Sequence, residues 1–524
     1  MSENIERSLW GSRIGFLFAA IGSAVGLGNI WRFSYMAYEN GGGAFLIPYG
    51  VALLVAGIPL MILEYALGHK YQGAPPLSFM KVNKKMEWAG WWMPLVATMG
   101  IMLFYAVVIG WCINYLFYSF DLSWGTDTAA FFKHSFLQRP LDESTQFTLQ
   151  SINWKIFGAT FAVWAICWGI CYKEVNHGIE KACLIFMPLL LVLTIVLVAW
   201  SVTLDGAAEG IKSYITPDLD KINVFKNGWN PRLNTSQWKV WTSAFGQIFF
   251  TLSLGFGIMI TYASYLPKKT NLAGNALFVC IANCAYSIFA GFAVFGVLGF
   301  MAHSQHVAID KVVTGGPSLC FVVYPEAINQ LPVAREIFGV LFFLTLVVAG
   351  LSSGISLIEA LACSVIDKFQ LKRGKVITGI CLFGFLGSII FTTNIGIFVL
   401  DIVDHFINNY GLLTGGFLEC VLIGWMIKTH IIRKHVNESG GILQLPVIWD
   451  WCIKVVTPAI LAIIISMALY ADITNKYEGY PLGMLLGFGV TALALTFIPS
   501  IILALVKWPK TKAEHKPEDE HILT

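Results

Sequence analysis

The sequence predicts an all-α polytopic membrane protein with twelve transmembrane helices. Three observations carry this. Of 524 residues, 56% are hydrophobic and only 12% charged, where a soluble domain has about 25% charged residues. The mean hydropathy is +0.69. Apolar runs of about 20 residues, enough to cross a bilayer as helix, recur along the chain, and basic residues cluster at alternate connections between them. The net charge of +3 carries no nucleic-acid footprint. The 11 cysteines are scattered without a CxxC pair and read as small buried hydrophobes.

The spans are expected at 12–37, 43–70, 89–120, 153–172, 180–203, 238–267, 273–302, 334–368, 374–394, 396–426, 447–470 and 482–507. The first begins near Ile14 and is too long and glycine-rich for a signal peptide. Several exceed the hydrocarbon thickness and must tilt or project. Arg7 and Arg13 lie at the N-terminal end of the first span. Lys81, Lys84 and Lys85, then Lys173 and Lys181, Lys268 and Lys269, Lys372, Arg373 and Lys375, and Lys428, Arg433 and Lys434 mark the even connections. Positive charge stays inside, so residues 1–11 and the polar, disordered tail 508–524 are both expected in the cytoplasm, with the protein in the plasma (inner) membrane.

Two spans are interrupted. The first holds Gly22-Ser23-Ala24-Val25-Gly26-Leu27-Gly28-Asn29, the sixth Ser253-Leu254-Gly255-Phe256-Gly257. Each glycine costs about 1 kcal/mol in a helix interior. Close helix packing explains one such pair. Two pairs, both mid-span and both beside polar residues, point instead to a transporter's central site built on unwound backbone. They occupy equivalent places if spans 1–5 and 6–10 are repeats.

Ala24-Val25-Gly26-Leu27-Gly28-Asn29-Ile30-Trp31-Arg32-Phe33, Glu39-Asn40-Gly41-Gly42-Gly43-Ala44-Phe45 and Gly246-Gln247-Ile248-Phe249-Phe250-Thr251-Leu252-Ser253-Leu254-Gly255-Phe256-Gly257 resemble signatures of the neurotransmitter:sodium symporter family. The resemblance runs from about Trp10 to Pro458. It implies a LeuT-type 5+5 inverted repeat over 12–426, with the first repeat at 12–203 and the second at 238–426. Helices 1 and 6 are broken, and helices 11–12 follow at 447–507. It also implies sodium-coupled uptake of a neutral amino acid.

By resemblance, one sodium ion sits at Ala24, Asn29, Thr251 and Asn283, with the substrate carboxylate completing its shell. A second sits at Gly22, Val25, Ala349, Ser352 and Ser353. A hard cation needs such oxygens and little competing water. An isolated Ser352-Ser353 pair would read as helix packing; facing the first break, it reads as a ligand pair.

The family's substrate pocket maps to Ser23, Ala24, Leu27, Gly28, Ile101, Tyr105, Phe250, Thr251, Ser253, Phe256, Ser353 and Leu357. Tyr105 and the Leu27-Gly28 amides are expected on the substrate carboxylate, using a helix's positive end. Carbonyls of Ala24, Phe250 and Thr251 are expected on the ammonium. Monoamine carriers of the family have an aspartate where this chain has Gly26, and its absence argues for substrates that bring their own carboxylate. Ile101, Phe256 and Leu357 suit an aliphatic side chain.

Two sodium ions and a zwitterion leave excess positive charge. Many bacterial relatives have an acidic residue four positions after the sodium-binding asparagine; this chain has Ser287. That is the pattern of chloride-dependent relatives, and it implies chloride at Tyr49, Gln247, Thr251, Asn283 and Ser287. The competing reading assigns charge balance to Glu64, Glu359 or Glu419.

Arg32 and Asp404 resemble an outer gate pair above Tyr105 and Phe250. Arg7 and Asp367 resemble an inner pair, supported by Ser264 and Tyr265. Each sodium ion falling through ~100 mV gains about 2.3 kcal/mol, and a tenfold gradient adds about 1.4 kcal/mol. An enzyme is not expected: there is no nucleophile–base constellation, phosphate loop or metal spacing, and His69, His177 and His405 lie singly near helix ends. The alternative is a sodium-dependent amino-acid sensor on the same fold, without uphill flux.

Overall fold

The computed structural model describes residues 9–140, 145–224, 226, 235–313 and 315–509. Arg7 and the tail from residue 510 lie outside these. Among the described residues the chain is helical, with two isolated β-bridges and no strand.

Among the described residues ten helices are long and apolar enough to cross a membrane, as in an integral, multi-pass membrane protein. In chain order, a bent pair comes first: α1 (Arg13–Ala24) and α2 (Leu27–Glu39) meet at 51°. Then follow α3 (Gly43–Tyr71), α4 (Lys84–Tyr118), α5 (Trp154–Tyr172) and α6 (Ile179–Ser201). The shorter α7 (Thr235–Thr251) and α8 (Ile258–Ala263) come next. After them run α9 (Leu272–Gln305), α10 (Arg335–Phe369), α11 (Arg373–Thr392) and α12 (Gly396–Met426). A surface helix, α13 (Thr429–Glu438), precedes α14 (Ile448–Gly479) and α15 (Leu482–Leu505).

The ten long helices coincide with ten of the expected spans. The expected first and sixth spans are the two that are not single helices. At the first break, Val25 (φ −81°, ψ 104°) and Gly26 (φ −130°, ψ −166°) are extended. The helix restarts because Asn29 Oδ1 reaches back to accept the Gly26 N–H at 2.9 Å, satisfying a donor that a helix start leaves open.

At the second break, Ser253 (φ 53°), Gly255 (φ 77°) and Gly257 (φ 72°) are left-handed. Only glycine enters that region without steric cost. A Cβ on Gly255 would also stand 2.9 Å from the Leu412 carbonyl oxygen, and one on Gly257 2.5 Å from Pro75 Cγ. Ser253 is held there by its hydroxyl, which donates to the Ser23 carbonyl at 3.1 Å. The breaks are thus tied to each other.

α10 runs through the middle of the bundle with most of its length buried, whereas α14 and α15 sit at the rim with most side chains facing outward. All eleven cysteines are buried and none forms a disulfide.

Candidate functional site

The two breaks open onto one cavity of about 70 Å³. All twelve residues expected to hold a substrate line it, joined by Gly26, Asn29, Phe104, Ile258 and Asp404. Sequence reading passed over Phe104 and Ile258 as contacts. Their signal was position: one precedes Tyr105, the other opens the helix after the second break.

Tyr105 Oη lies 3.5 Å from the Leu27 N–H at the start of α2. A Cβ on Gly26 would stand 3.1 Å from that hydroxyl and 2.9 Å from Ser353 Oγ, and one on Gly28 2.7 Å from the Phe250 ring. Bare backbone at both positions leaves the amide end of α2 open to the cavity. A carboxylate fits there: exposed amides and the helix dipole both favour an anion.

Beside the cavity lies a buried polar hub. Asn29 Nδ2 reaches Thr251 Oγ1 at 2.9 Å, Asn283 Oδ1 at 2.8 Å and Ser287 Oγ at 2.8 Å. Asn283 Nδ2 donates to Thr251 Oγ1 at 3.1 Å. One amide nitrogen, with two protons, therefore stands among three oxygens. Such a convergence suits a small cation, and Asn29 would add its own oxygen by turning its amide over. The structure brings Asn29, Thr251 and Asn283 together; Ala24 lines the adjoining cavity.

A second knot joins α1 to α10. Ser353 Oγ lies 3.3 Å from the Gly22 carbonyl, 3.4 Å from that of Val25 and 3.4 Å from that of Ala349. Ser352 Oγ donates to Ala349 at 2.9 Å. Three carbonyls face one hydroxyl at the long limit of hydrogen bonding, an arrangement that a cation would tighten. Val25, Met187, Leu190, Val348 and Ala349 pack into an apolar cluster beside it, which limits competing water.

The residues expected to hold an anion surround the hub. Tyr49 Oη lies beside Cys284 and Ser287 yet closes no hydrogen bond, and neither polar atom of the buried Gln247 side chain does. Buried donors without partners are uncommon and costly, so this cluster fits an anion. The rival carboxylates differ. Glu359 is held by the Arg373 fork at 2.9 and 2.6 Å and accepts from Tyr265 Oη at 2.7 Å. Glu64 Oε1 accepts the Gly255 N–H at 2.8 Å, bracing the second break. Both Glu419 oxygens lack a partner.

At one end of the cavity the Arg32 guanidinium lies 4.4 Å over the Phe250 ring, and Asp404 accepts from Asn408 at 2.7 Å. Arg32 and Asp404 form no ion pair within 4.0 Å in this arrangement. A wider cavity of about 320 Å³, with Arg32, Phe250, Lys239 and Asp472 in its wall, lies beyond them. At the other end, Asp367 Oδ2 accepts the Ala74 N–H at 2.9 Å, and Ser264 Oγ donates to Thr261 at 2.5 Å. The Trp10 N–H donates to the Tyr265 carbonyl at 3.2 Å. Arg7, the expected partner of Asp367, lies outside the described residues.

Two histidines expected to be isolated are not. His405 Nε2 lies 2.8 Å from an Asp472 oxygen, and His69 meets His435. In each case the partner comes from a distant segment, so spacing carried no signal.

The sequence matches the sodium:neurotransmitter symporter family over residues 7–150 and 125–509. It is 43% identical to an uncharacterised sodium-dependent transporter of Methanocaldococcus jannaschii, covering 96% of this chain and 98% of that protein. It is 31% identical to the sodium- and chloride-dependent neutral and basic amino acid transporter B(0+) of Mus musculus, covering 96% and 86%. It is 28% identical to the sodium- and chloride-dependent GABA transporter 2 of Bos taurus, covering 95% and 86%.

Proposed function

Because this chain belongs to the sodium:neurotransmitter symporter family, a family of sodium-coupled transporters rather than enzymes, we propose that it imports a small neutral amino acid together with sodium and chloride by alternating access. The observation that carries this is the adjacency of the amide end of α2 to the Asn29–Thr251–Asn283 hub. A substrate carboxylate on the Leu27 and Gly28 amides would also face the first sodium ion. Each ligand then raises the other's affinity by direct attraction in a site shielded from water.

The second sodium ion is assigned to Gly22, Val25, Ala349, Ser352 and Ser353, where it ties α1 to α10. Chloride is assigned to Tyr49, Gln247, Thr251, Asn283 and Ser287. The partnerless donors of Tyr49 and Gln247 support this, as does the salt bridge already engaging Glu359. Twelve spans, a LeuT-type repeat and two cytoplasmic termini form the frame in which the broken helices rock. Arg32 with Asp404 and Arg7 with Asp367, Ser264 and Tyr265 close alternate ends. Gly26 in place of an acid, and the apolar walls of Ile101, Phe256 and Leu357, favour an aliphatic amino acid.

Equilibrium binding tests the site apart from flux. Purified protein should bind labelled alanine, valine or leucine in sodium chloride and lose that binding in potassium chloride. Equal binding in both salts would refute the coupling assignment.

A further inference from the structure

The residues that open α1 are held by three other helices. The Trp10 indole N–H donates to the Tyr262 carbonyl of α8 at 2.9 Å, and Arg13 Nε donates to Asn275 Oδ1 of α9 at 3.0 Å. Between them, the Gly11 N–H donates to Glu180 Oε2 at 2.7 Å, and the Ser12 hydroxyl donates to Glu180 Oε1 at 2.8 Å. Ser12 Oγ in turn accepts the Gly15 N–H at 2.9 Å, which caps the start of α1. Glu180 therefore grips the cap of α1 with both carboxylate oxygens, across 168 residues of sequence.

Glu180 is the second residue of α6 and is buried. A carboxylate suits that first turn, where the helix dipole is positive. Its oxygens meet no other hydrogen-bond donor among the described residues. The seat for its side chain is made by bare backbone on α1. A Cβ on Gly15 would overlap Glu180 Oε1, Cδ and Cγ, and one on Gly11 would stand 3.3 Å from both oxygens. Gly11 and Gly15 are one helical turn apart, so together they leave a slot of the right length for one glutamate. The other end of α1 carries Gly22 and Val25, whose carbonyls face Ser353 of α10. Glu180 and the assigned second sodium ion thus hold the same 12-residue helix from opposite ends.

We propose that Glu180 is a positioning residue for transport: it latches α1 to α6 while the inner end is closed, and releases it as that half-helix swings on its break. This rests on the alternating-access reading given above. Release is chemically feasible because opening admits water. The Gly11 and Ser12 donors and the Glu180 oxygens then exchange one another for water, and no charged group is left buried without a partner. Because the ion and the latch act on one rigid element, each favours the arrangement that the other needs. Neither touches the other; the helix between them carries the coupling.

The test is hydrogen exchange, read by mass spectrometry on the purified full-length protein in potassium chloride and in sodium chloride, without substrate. In potassium chloride, Glu180→Ala should speed exchange along α1 about tenfold and leave α2 unchanged. Glu180→Gln should keep most of the protection, since its oxygen can accept from Gly11 and its N–H can reach Ser12 Oγ. Gly15→Ala is a second route that leaves the carboxylate in place. Alanine favours a helix over glycine, so propensity alone predicts slower exchange, whereas a displaced Glu180 predicts faster. Sodium chloride should slow α1 in every form. Exchange unchanged in Glu180→Ala and Gly15→Ala would overturn the latch. So would faster exchange confined to the first turn and insensitive to sodium, which marks a frayed end rather than a released half-helix. Whether sodium binds at all is read separately, from its effect on amino-acid binding, so failure of the transport reading and failure of the latch are told apart.

Discussion

Asn29 and Thr251 meet side chain to side chain at 2.9 Å, across 222 residues of sequence. Each stands at the edge of a helix break, and both are buried. Their contact makes the two unwound segments one site, and it sets the expected outcome of removing either partner.

Asn29→Ala leaves Gly26 without its acceptor and the hub oxygens without their donor. An orphaned buried polar group costs about 1–3 kcal/mol. Sodium affinity, measured as the sodium concentration for half-maximal substrate binding, should weaken about tenfold or more. Thr251→Val should weaken it in the same direction. Unchanged sodium dependence in both variants would remove the hub from the sodium pathway.

Tyr105→Phe removes one hydroxyl beside the Leu27 amide. A hydrogen bond to a charged group contributes about 1.5–3 kcal/mol, so KM for the amino acid should rise about tenfold or more. Sodium dependence should persist. Gly26→Asp should abolish amino-acid binding, because a side chain there meets Ser353 Oγ and Tyr105 Oη and its carboxylate opposes that of the substrate.

Much of this was legible in the sequence. The ten long helices announce themselves by apolar length alone, and the broken pair by mid-span glycines beside Ser23 and Thr251. The residues lining the cavity came from matching motifs, since spacing within one helix says nothing about which helix it will face. What was not legible depends on contacts between distant segments. Glu64 with Gly255, His405 with Asp472 and His69 with His435 are separated by 191, 67 and 366 residues. No periodicity encodes such pairs. Arg32 lies over Phe250 and Asp404 accepts from Asn408, contacts between side chains of different segments that the motifs alone do not specify.

Ser287 marks the expected anion site. Ser287→Glu places a fixed negative charge beside Tyr49 and the Asn29 amide. Uptake by this variant should continue when gluconate replaces chloride, while the unaltered protein slows. Equal chloride dependence in the two would move charge balance to Glu64 or Glu419.

Glu87 and Lys368 form a buried ion pair with side chains 4% and 0% exposed. Lys368 also donates to the Leu503 carbonyl at 2.6 Å, so the pair joins α4, α10 and α15. Removing one partner of a buried pair costs about 3–5 kcal/mol. Glu87→Gln should lower the melting temperature in detergent, and Glu87→Leu with Lys368→Met together should recover most of the loss. A double variant as unstable as the single one would show that packing, not charge, matters there.

Uptake into liposomes tests sodium-coupled transport most directly. Purified protein would be reconstituted and given labelled neutral amino acids under an inward sodium chloride gradient, with potassium chloride as the comparison. Accumulation above the external concentration that requires sodium and collapses when the gradient is dissipated is the predicted result. Sodium-dependent binding with no accumulation would contradict it and leave a sensor on the same fold.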